Sequence, residues 1–109
     1  MILIGRFRSP FVRRVAATMN YYGMPFESRP LQHTGDDIPA LRAINPIGRI
    51  PALVLDDDQV LVESGAIIDY LDREAGADKA LLPVAGKARN HALNLVGVGT
   101  GTMDKFVAC

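Results

Sequence analysis

The sequence predicts a small α/β domain, a four-stranded mixed sheet with helices packed on it, followed by one partial C-terminal helix. Three observations lead there. Short apolar runs closed by glycine, proline or acidic residues have the length and punctuation of strands. Between the first two runs lies a stretch with apolar residues on one helical face, and a strand–helix–strand unit makes those two strands parallel. Only Asp56-Asp57-Asp58 and its neighbours separate the last two runs, so they form an antiparallel hairpin.

Ile2-Leu3-Ile4, ended by Gly5, is a buried strand, and Arg6-Phe7-Arg8 is a loop. Ser9 has the chemistry of an N-cap, and Pro10 suits the first helical position, where its missing N–H costs nothing. Val12, Val15, Ala16 and Met19 recur at i, i+3, i+4 and i+7, one face of a helix. Arg13 and Arg14 fall off that face, and Gly23, backed by Pro25, stops the helix. Residues 26–29 form the second strand, closed by Pro30, and residues 31–35 are loop. Asp36 or Asp37 caps a short helix over residues 39–44. Residues 52–55 and 59–62 are the hairpin strands. Ser64 caps a third helix, with Ile67, Tyr70 and Leu71 inward and Gly76 at its end. Residues 77–83 are a linker containing a turn.

From Gly86 onward, Leu93, Val96, Thr100, Met103 and Val107 follow at threes and fours, a heptad-like seam. Gly97, Gly99 and Gly101 each cost about 1 kcal/mol against alanine in a helix.

Asn45 to Leu53 organises the middle of the chain. Pro46 pushes Asn45 out of the α region and ends the preceding helix. Gly48 permits a turn with positive φ. Pro51 precedes the strand, where a residue without an N–H belongs. The Ile50–Pro51 bond is either trans in an ordinary turn or cis. The cis form turns the Ile50 N–H and C=O outward, where an extended peptide can pair with them.

The 109 residues suffice for one modest core. Twelve basic and twelve acidic residues give no net pull toward nucleic acid or an anionic membrane. No apolar run approaches the length of a transmembrane span, and the first five residues are too short for a signal peptide. Cys109 is the single cysteine; it excludes an internal disulfide and fits a reducing cytoplasm. No Cys-x-x-Cys is present, so thiol–disulfide exchange is not expected. Neither a Cys/His metal cluster nor a Gly-rich phosphate loop occurs.

Taken together, Asn45 to Leu53, the segment Glu63-Ser64-Gly65-Ala66-Ile67-Ile68-Asp69-Tyr70-Leu71 and the opening Ser9-Pro10-Phe11-Val12-Arg13-Arg14-Val15 resemble the cytosolic glutathione transferases. The likeness covers roughly Met1 to Pro83 and is nearest to bacterial, serine-type or theta-like members. It implies a thioredoxin-like domain over residues 1–79. Residues 80–109 are then a linker and the first helix of an all-helical domain that the chain leaves incomplete, since family members run about twice as long.

The resemblance also assigns candidate site residues. Ser9 stands where serine-type members hydrogen-bond the sulfur of glutathione. A thiol of pKa about 8.5 needs such a donor, or a helix N-terminus, to ionise at neutral pH. Arg6, Arg8 and Arg13 add positive potential. The alternative for Ser9 is a cap and nothing more. Glu63 and Ser64 match the pair that holds the γ-glutamyl end, Glu63 taking its ammonium and Ser64 with its helix amides taking its carboxylate; the alternative is a strand end and a plain cap. Ile50, followed by Pro51, pairs through its backbone with the cysteinyl residue. Arg49 reaches the glycine carboxylate or is a solvated surface charge. His33 lies in a loop that contacts the same carboxylate in some members, or is simply exposed.

The resemblance therefore implies a glutathione transferase, with glutathione as co-substrate, a small electrophile as second substrate and no metal. Two alternatives stand beside it: a transferase-like binding module without catalysis, and another glutathione-dependent reaction such as isomerisation or dehalogenation. A homodimer is expected, with exchange of the last helix as one route to it.

Overall fold

Leu3 and Ile4, adjacent and both fully buried, set the layers of the fold. Successive side chains in a strand point to opposite faces, so one strand feeds two cores. The computed structural model describes residues 1–108; Cys109 lies outside them. Strand β1 (Ile2–Ile4) is central in a four-stranded sheet of order β2 (Glu27–Arg29), β1, β3 (Ala52–Val54), β4 (Val60–Val62). β1 is parallel to β2 and antiparallel to β3, and β3 is antiparallel to β4. Both expected pairings are present.

In the register, Leu3 faces Leu53 and Ile4 faces Ala52. Leu3 and Leu53 join the larger core with Val12, Val15, Ala16 and Met19 of helix α1 (Pro10–Tyr22) and Ile67 and Leu71 of helix α3 (Ser64–Ala75). Tyr70 is partly buried against it. Ile4 and Ala52 join Leu41 of helix α2 (Ile38–Ile44) on the other face. Two helices thus cover one side of the sheet and one covers the other. Each fully buried aliphatic side chain adds about 1.5–3 kcal/mol relative to exposure.

Gly5 is where β1, α1 and the central loop meet. Its φ is +130°, and a Cβ there would lie 2.6 Å from Val12 Cγ2 and 3.0 Å from Ile50 Cβ. Only glycine allows both that conformation and that approach. At the other end of α1, Gly23 adopts φ 69° and its N–H donates to the Asn20 and Met19 carbonyls, as expected for the stop.

Local details depart from the sequence reading. Asp37 stands at the N-cap position of α2, but its side chain makes no capping bond. A 3₁₀ turn over Gly35–Asp37 leads directly into the helix at Ile38, and the Asp37 carboxylate accepts the Gln32 N–H at 2.9 Å instead. Strands β2, β3 and β4 are each shorter than expected, starting at Glu27, ending at Val54 and starting at Val60 respectively. Ser64 begins α3 but does not cap it, as described below.

The described residues divide into two compact units, Met1–Leu71 and Asp72 onward. In the second, the Asp72 carboxylate accepts the N–H groups of Leu81 at 2.8 Å and Leu82 at 3.4 Å. Helix α4 (Gly86–Ala108) runs unbroken through its three interior glycines. Leu95, Val98 and Phe106 are 61%, 71% and 83% exposed, and Leu93, Val96 and Val107 of the seam are exposed as well. No described helix is long and apolar enough to cross a membrane.

Gly5→Ala combines strain at positive φ with overpacking against Val12 and Ile50. We expect it to destabilise the chain by about 3 kcal/mol. Urea unfolding of the two proteins checks this, and a loss under about 1 kcal/mol would show that Val12 and Ile50 give way easily.

Candidate functional site

The loop between α2 and β3 hangs on one buried side chain. Asn45 is 3% exposed. Its Nδ2 donates to the Arg49 carbonyl at 3.0 Å and its Oδ1 accepts the Ile47 N–H at 3.1 Å. Its own N–H donates to Leu41 O at 2.8 Å, ending α2, and its carbonyl accepts the Gly48 N–H at 2.8 Å. Gly48 turns the chain at φ 72°, packed so that a Cβ would sit 3.3 Å from Arg42 Cγ. The loop is thereby fixed and delivers Ile50 and Pro51 in one place. The Ile50–Pro51 peptide is cis. Pro51 is buried, Ile50 is half-buried against both cores, and the β1–β3 ladder starts only at Ala52.

Ser9 is the N-cap of α1. Its Oγ accepts the N–H groups of Phe11 at 3.2 Å and Val12 at 3.3 Å. Those bonds use the oxygen's lone pairs and leave the hydroxyl hydrogen to donate elsewhere. Capping and donation to a ligand are therefore compatible in one state, where the sequence alone set them against each other. Arg13, one turn on, donates through Nε to the Phe7 carbonyl and ties down the loop before Ser9.

At the start of α3, Glu63 does the capping expected of Ser64. Glu63 has φ 74°, and its carbonyl accepts the Ile67 N–H at 3.0 Å, the first bond of the helix. Its carboxylate Oε2 accepts the Ala66 N–H at 3.1 Å. Negative charge at a helix N-terminus is favourable. The Ser64 hydroxyl is engaged in another direction: its Oγ, in a residue 3% exposed, accepts a hydrogen bond from Arg14 Nε at 3.0 Å. Burial lowers the pKa of the Arg14 guanidinium, and the Glu63 charge opposes that shift. Arginine remains charged in either case.

Gly65 completes the cluster. A Cβ there would lie 2.9 Å from Glu63 Oε2 and 3.4 Å from Arg14 Nη2. The first turn of α3 thus presents a carboxylate, a hydroxyl and helix amides side by side, with a guanidinium behind them. Such a patch suits a ligand bearing both an ammonium and a carboxylate.

Ser9, Ile50, Glu63 and Ser64 sit on elements that touch one another: Gly5 brings Ile50 against Val12 of α1, and Arg14 joins α1 to α3. Arg49 and His33 are exposed, Arg49 in the turn before Ile50 and His33 in the loop after β2. Among the described residues no group of His, Cys, Asp or Glu could hold a metal. Two contributors escaped the sequence reading. Periodicity put Arg14 on the solvent side, and nothing in its spacing reveals that its long side chain reaches α3. Asn45 drew notice only as the residue before a proline; its short polar side chain ahead of a turn was the available signal.

Residues 3–79 match the family model described as the N-terminal domain of glutathione S-transferase. The chain belongs to the glutathione S-transferase family. It is 43% identical to glutathione S-transferase 3 of Zea mays over 89 residues, 79% of this chain and 40% of that protein. It is 37% identical to maleylacetoacetate isomerase of Pseudomonas aeruginosa over 76 residues, 66% of this chain and 36% of that one. A solved glutathione transferase family member from Pseudomonas fluorescens Pf-5, with bound glutathione, superposes with a TM-score of 0.84 at 36% identity. That match covers 98% of this chain and 53% of the other. The chain thus spans about two fifths of the length of these two curated relatives. Its sheet and helix order are those of a thioredoxin-like domain in this family.

Gly65→Ala gains helix propensity, about 1 kcal/mol at most, and loses about as much by displacing the Glu63 cap. Stability is expected to change by less than about 1 kcal/mol. The Ala66 amide proton, released from Glu63, is expected to move upfield in NMR spectra; an unmoved resonance would show that the carboxylate adapts.

Proposed function

We propose that this chain binds glutathione and favours its thiolate for attack on a small electrophile, the reaction of a serine-type glutathione transferase. One observation carries the proposal: Glu63 and Ser64 stand side by side at the N-terminus of α3. The γ-glutamyl end of glutathione carries one ammonium and one carboxylate. Glu63 takes the first, using the carboxylate capacity left after one bond to Ala66. The Ser64 hydroxyl and the first helix amides take the second. Ile50 lies just beyond the sheet ladder, and its backbone pairs with the cysteinyl residue. Pro51 fixes that approach from behind. Arg49 and His33 are the exposed candidates for the glycine carboxylate.

The cysteinyl sulfur then falls to Ser9. A hydroxyl hydrogen donated to sulfur stabilises thiolate over thiol, and the N-terminus of α1 adds its partial positive charge. Glutathione supplies the nucleophile; the protein contributes position and a lowered thiol pKa. On this reading residues 1–79 are the glutathione domain, and residues from 80 on begin the helical part in which the electrophile's pocket lies. A reducing cytoplasm, which keeps glutathione as the thiol, fits this chemistry. A second reading has a specific support. The 37% identity to maleylacetoacetate isomerase favours glutathione-dependent isomerisation at the same site. Turnover of an aryl halide against cis–trans isomerisation of a maleyl diketo acid separates the two.

We also infer that the chain self-associates through α4, because its exposed apolar side chains gain most from being covered. Sedimentation velocity is expected to show dimers as concentration rises, and a monomer at every concentration would count against this.

Calorimetric titration with glutathione tests the binding site. Wild-type chain is expected to bind, and Glu63→Ala to weaken binding about tenfold or more. Ser9→Asp tests the thiol. It keeps an N-cap of equal strength but replaces the donor by a carboxylate, and the lost hydrogen bond and the added negative charge should together raise the pKa of bound glutathione by about one unit or more. Bound glutathione with the thiol pKa it has free in solution would overturn the catalytic part of the proposal.

A further inference from the structure

The first 26 residues contain four arginines and no acid; Glu27 is the first. Two acids reach this segment from elsewhere, Asp56 on the Met1 ammonium and Glu63 beside Arg14. Among the described residues, neither Arg6 nor Arg8 has an ion pair or a side-chain hydrogen bond. Arg13 donates to the Phe7 carbonyl, a neutral group, so its charge is not cancelled. The Ser9 N–H donates to the Arg6 carbonyl at 3.1 Å and closes a turn over Arg6–Ser9. Phe7 and Arg8 form the corner of that turn, and both are exposed, Phe7 to 46%. The ends of such a turn lie within about 7 Å of each other, so the corner stands beside Ser9. Phe7 belongs to neither core of the sheet, and nor does Phe11, half-buried in the first turn of α1. An exposed ring and an uncancelled cation thus adjoin the capping serine.

We propose that Phe7 and Arg8 select the second substrate, and that it is an electrophile carrying a carboxylate on a planar conjugated group. This rests on the reading of Ser9 given under Proposed function. With the cysteinyl sulfur at Ser9, the group that becomes attached to sulfur lies next to the Arg6–Ser9 turn. Its plane packs on Phe7, as flat π-systems do. Its carboxylate is met by Arg8, and Arg6 and Arg13 add to the same positive field. Neither Phe7 nor Arg8 makes or breaks a bond; both act by binding. A neutral apolar electrophile gains from Phe7 alone. A solvated surface charge, the plain alternative for Arg8, is indifferent to what the sulfur carries.

The test compares three ligands on the full chain, and none requires turnover: glutathione, S-benzylglutathione and S-(4-carboxybenzyl)glutathione. The last two share a ring and differ by one carboxylate. Dissociation constants are measured by calorimetry for wild type, Arg8→Gln, Arg8→Lys, Phe7→Ala and the double variant Arg6→Gln/Arg8→Gln. Wild type is expected to bind the carboxybenzyl conjugate about tenfold more tightly than the benzyl one in low salt. Arg8→Gln should cut that preference about fivefold through the carboxybenzyl conjugate alone, and the double variant should abolish it. Arg8→Lys should keep most of it, since the charge remains. Phe7→Ala should weaken both benzyl conjugates about equally, by about threefold or more, and leave the preference between them. Added salt should shrink the preference, as for any exposed charge pair.

A wild-type chain that binds glutathione but does not distinguish the two conjugates overturns this inference and leaves the glutathione site standing. So does a preference that survives intact in the folded double variant, which would place the anion's partner elsewhere. A chain that binds none of the three ligands overturns the glutathione reading itself, and this inference with it.

Discussion

A buried carboxamide holds the middle of this protein in place. Asn45 closes α2 through its N–H, turns the chain through its carbonyl, and clamps the loop through both side-chain atoms. An unpaired buried polar group costs about 1–3 kcal/mol, so the loop cannot shift without breaking several such bonds together. The register of β3 follows from it, because Pro51 and Ala52 are delivered directly from the clamped turn. Ile50, wedged against Gly5 and Val12, then fixes how closely α1 approaches the sheet. One side chain thus governs a loop, a strand start and a helix packing distance.

The chemistry gathers at two helix N-termini. Each presents an oxygen-bearing side chain over its first amides, Ser9 on α1 and Glu63 on α3. Each cap has capacity beyond its structural bonds: a hydroxyl hydrogen in one case, a second carboxylate oxygen in the other. On the proposed reading, this lets the chain form a binding site without sacrificing helix ends. The same atoms that finish the helices keep donor and acceptor capacity, which the proposed glutathione site uses. Arg14 joins the two helices through Ser64, so the two N-termini form a single polar cluster rather than separate ones.

Most of the fold was legible because the short-range signals agree. Ser9-Pro10, the Val12–Val15–Ala16–Met19 face and Gly23 specify α1 from start to stop, and all of them behave as the spacing requires. The apolar run of β1, buried on both faces, and the tight hairpin of β3 and β4 fix the sheet. What failed were choices among neighbouring side chains with similar capacities. Ser64, Glu63 and Asp37 are all able cap residues; which one caps depends on what else lies within reach. Arg14 draws Ser64 away, the Gln32 N–H draws Asp37 away, and Glu63 is left to cap α3. Those competing partners come from other segments, so no local pattern contains them. The cis peptide at Pro51 was likewise open in the sequence and settled by tertiary context.

β1 precedes the other three strands of its sheet in the chain and sits in the interior, with Ile2 paired to Val54 and Ile4 to Ala52. On a ribosome, Leu3 and Ile4 emerge long before the segment that covers one of their edges. The parallel pairing with β2 can form once α1 and Glu27–Arg29 are out, but it leaves the other edge of β1 bare. That edge stays open until the Asn45 loop and β3 follow. Nascent chains stalled anywhere before Val54 therefore display an unfinished sheet, and the clamped turn that delivers β3 is also what ends the period of vulnerability to mispairing.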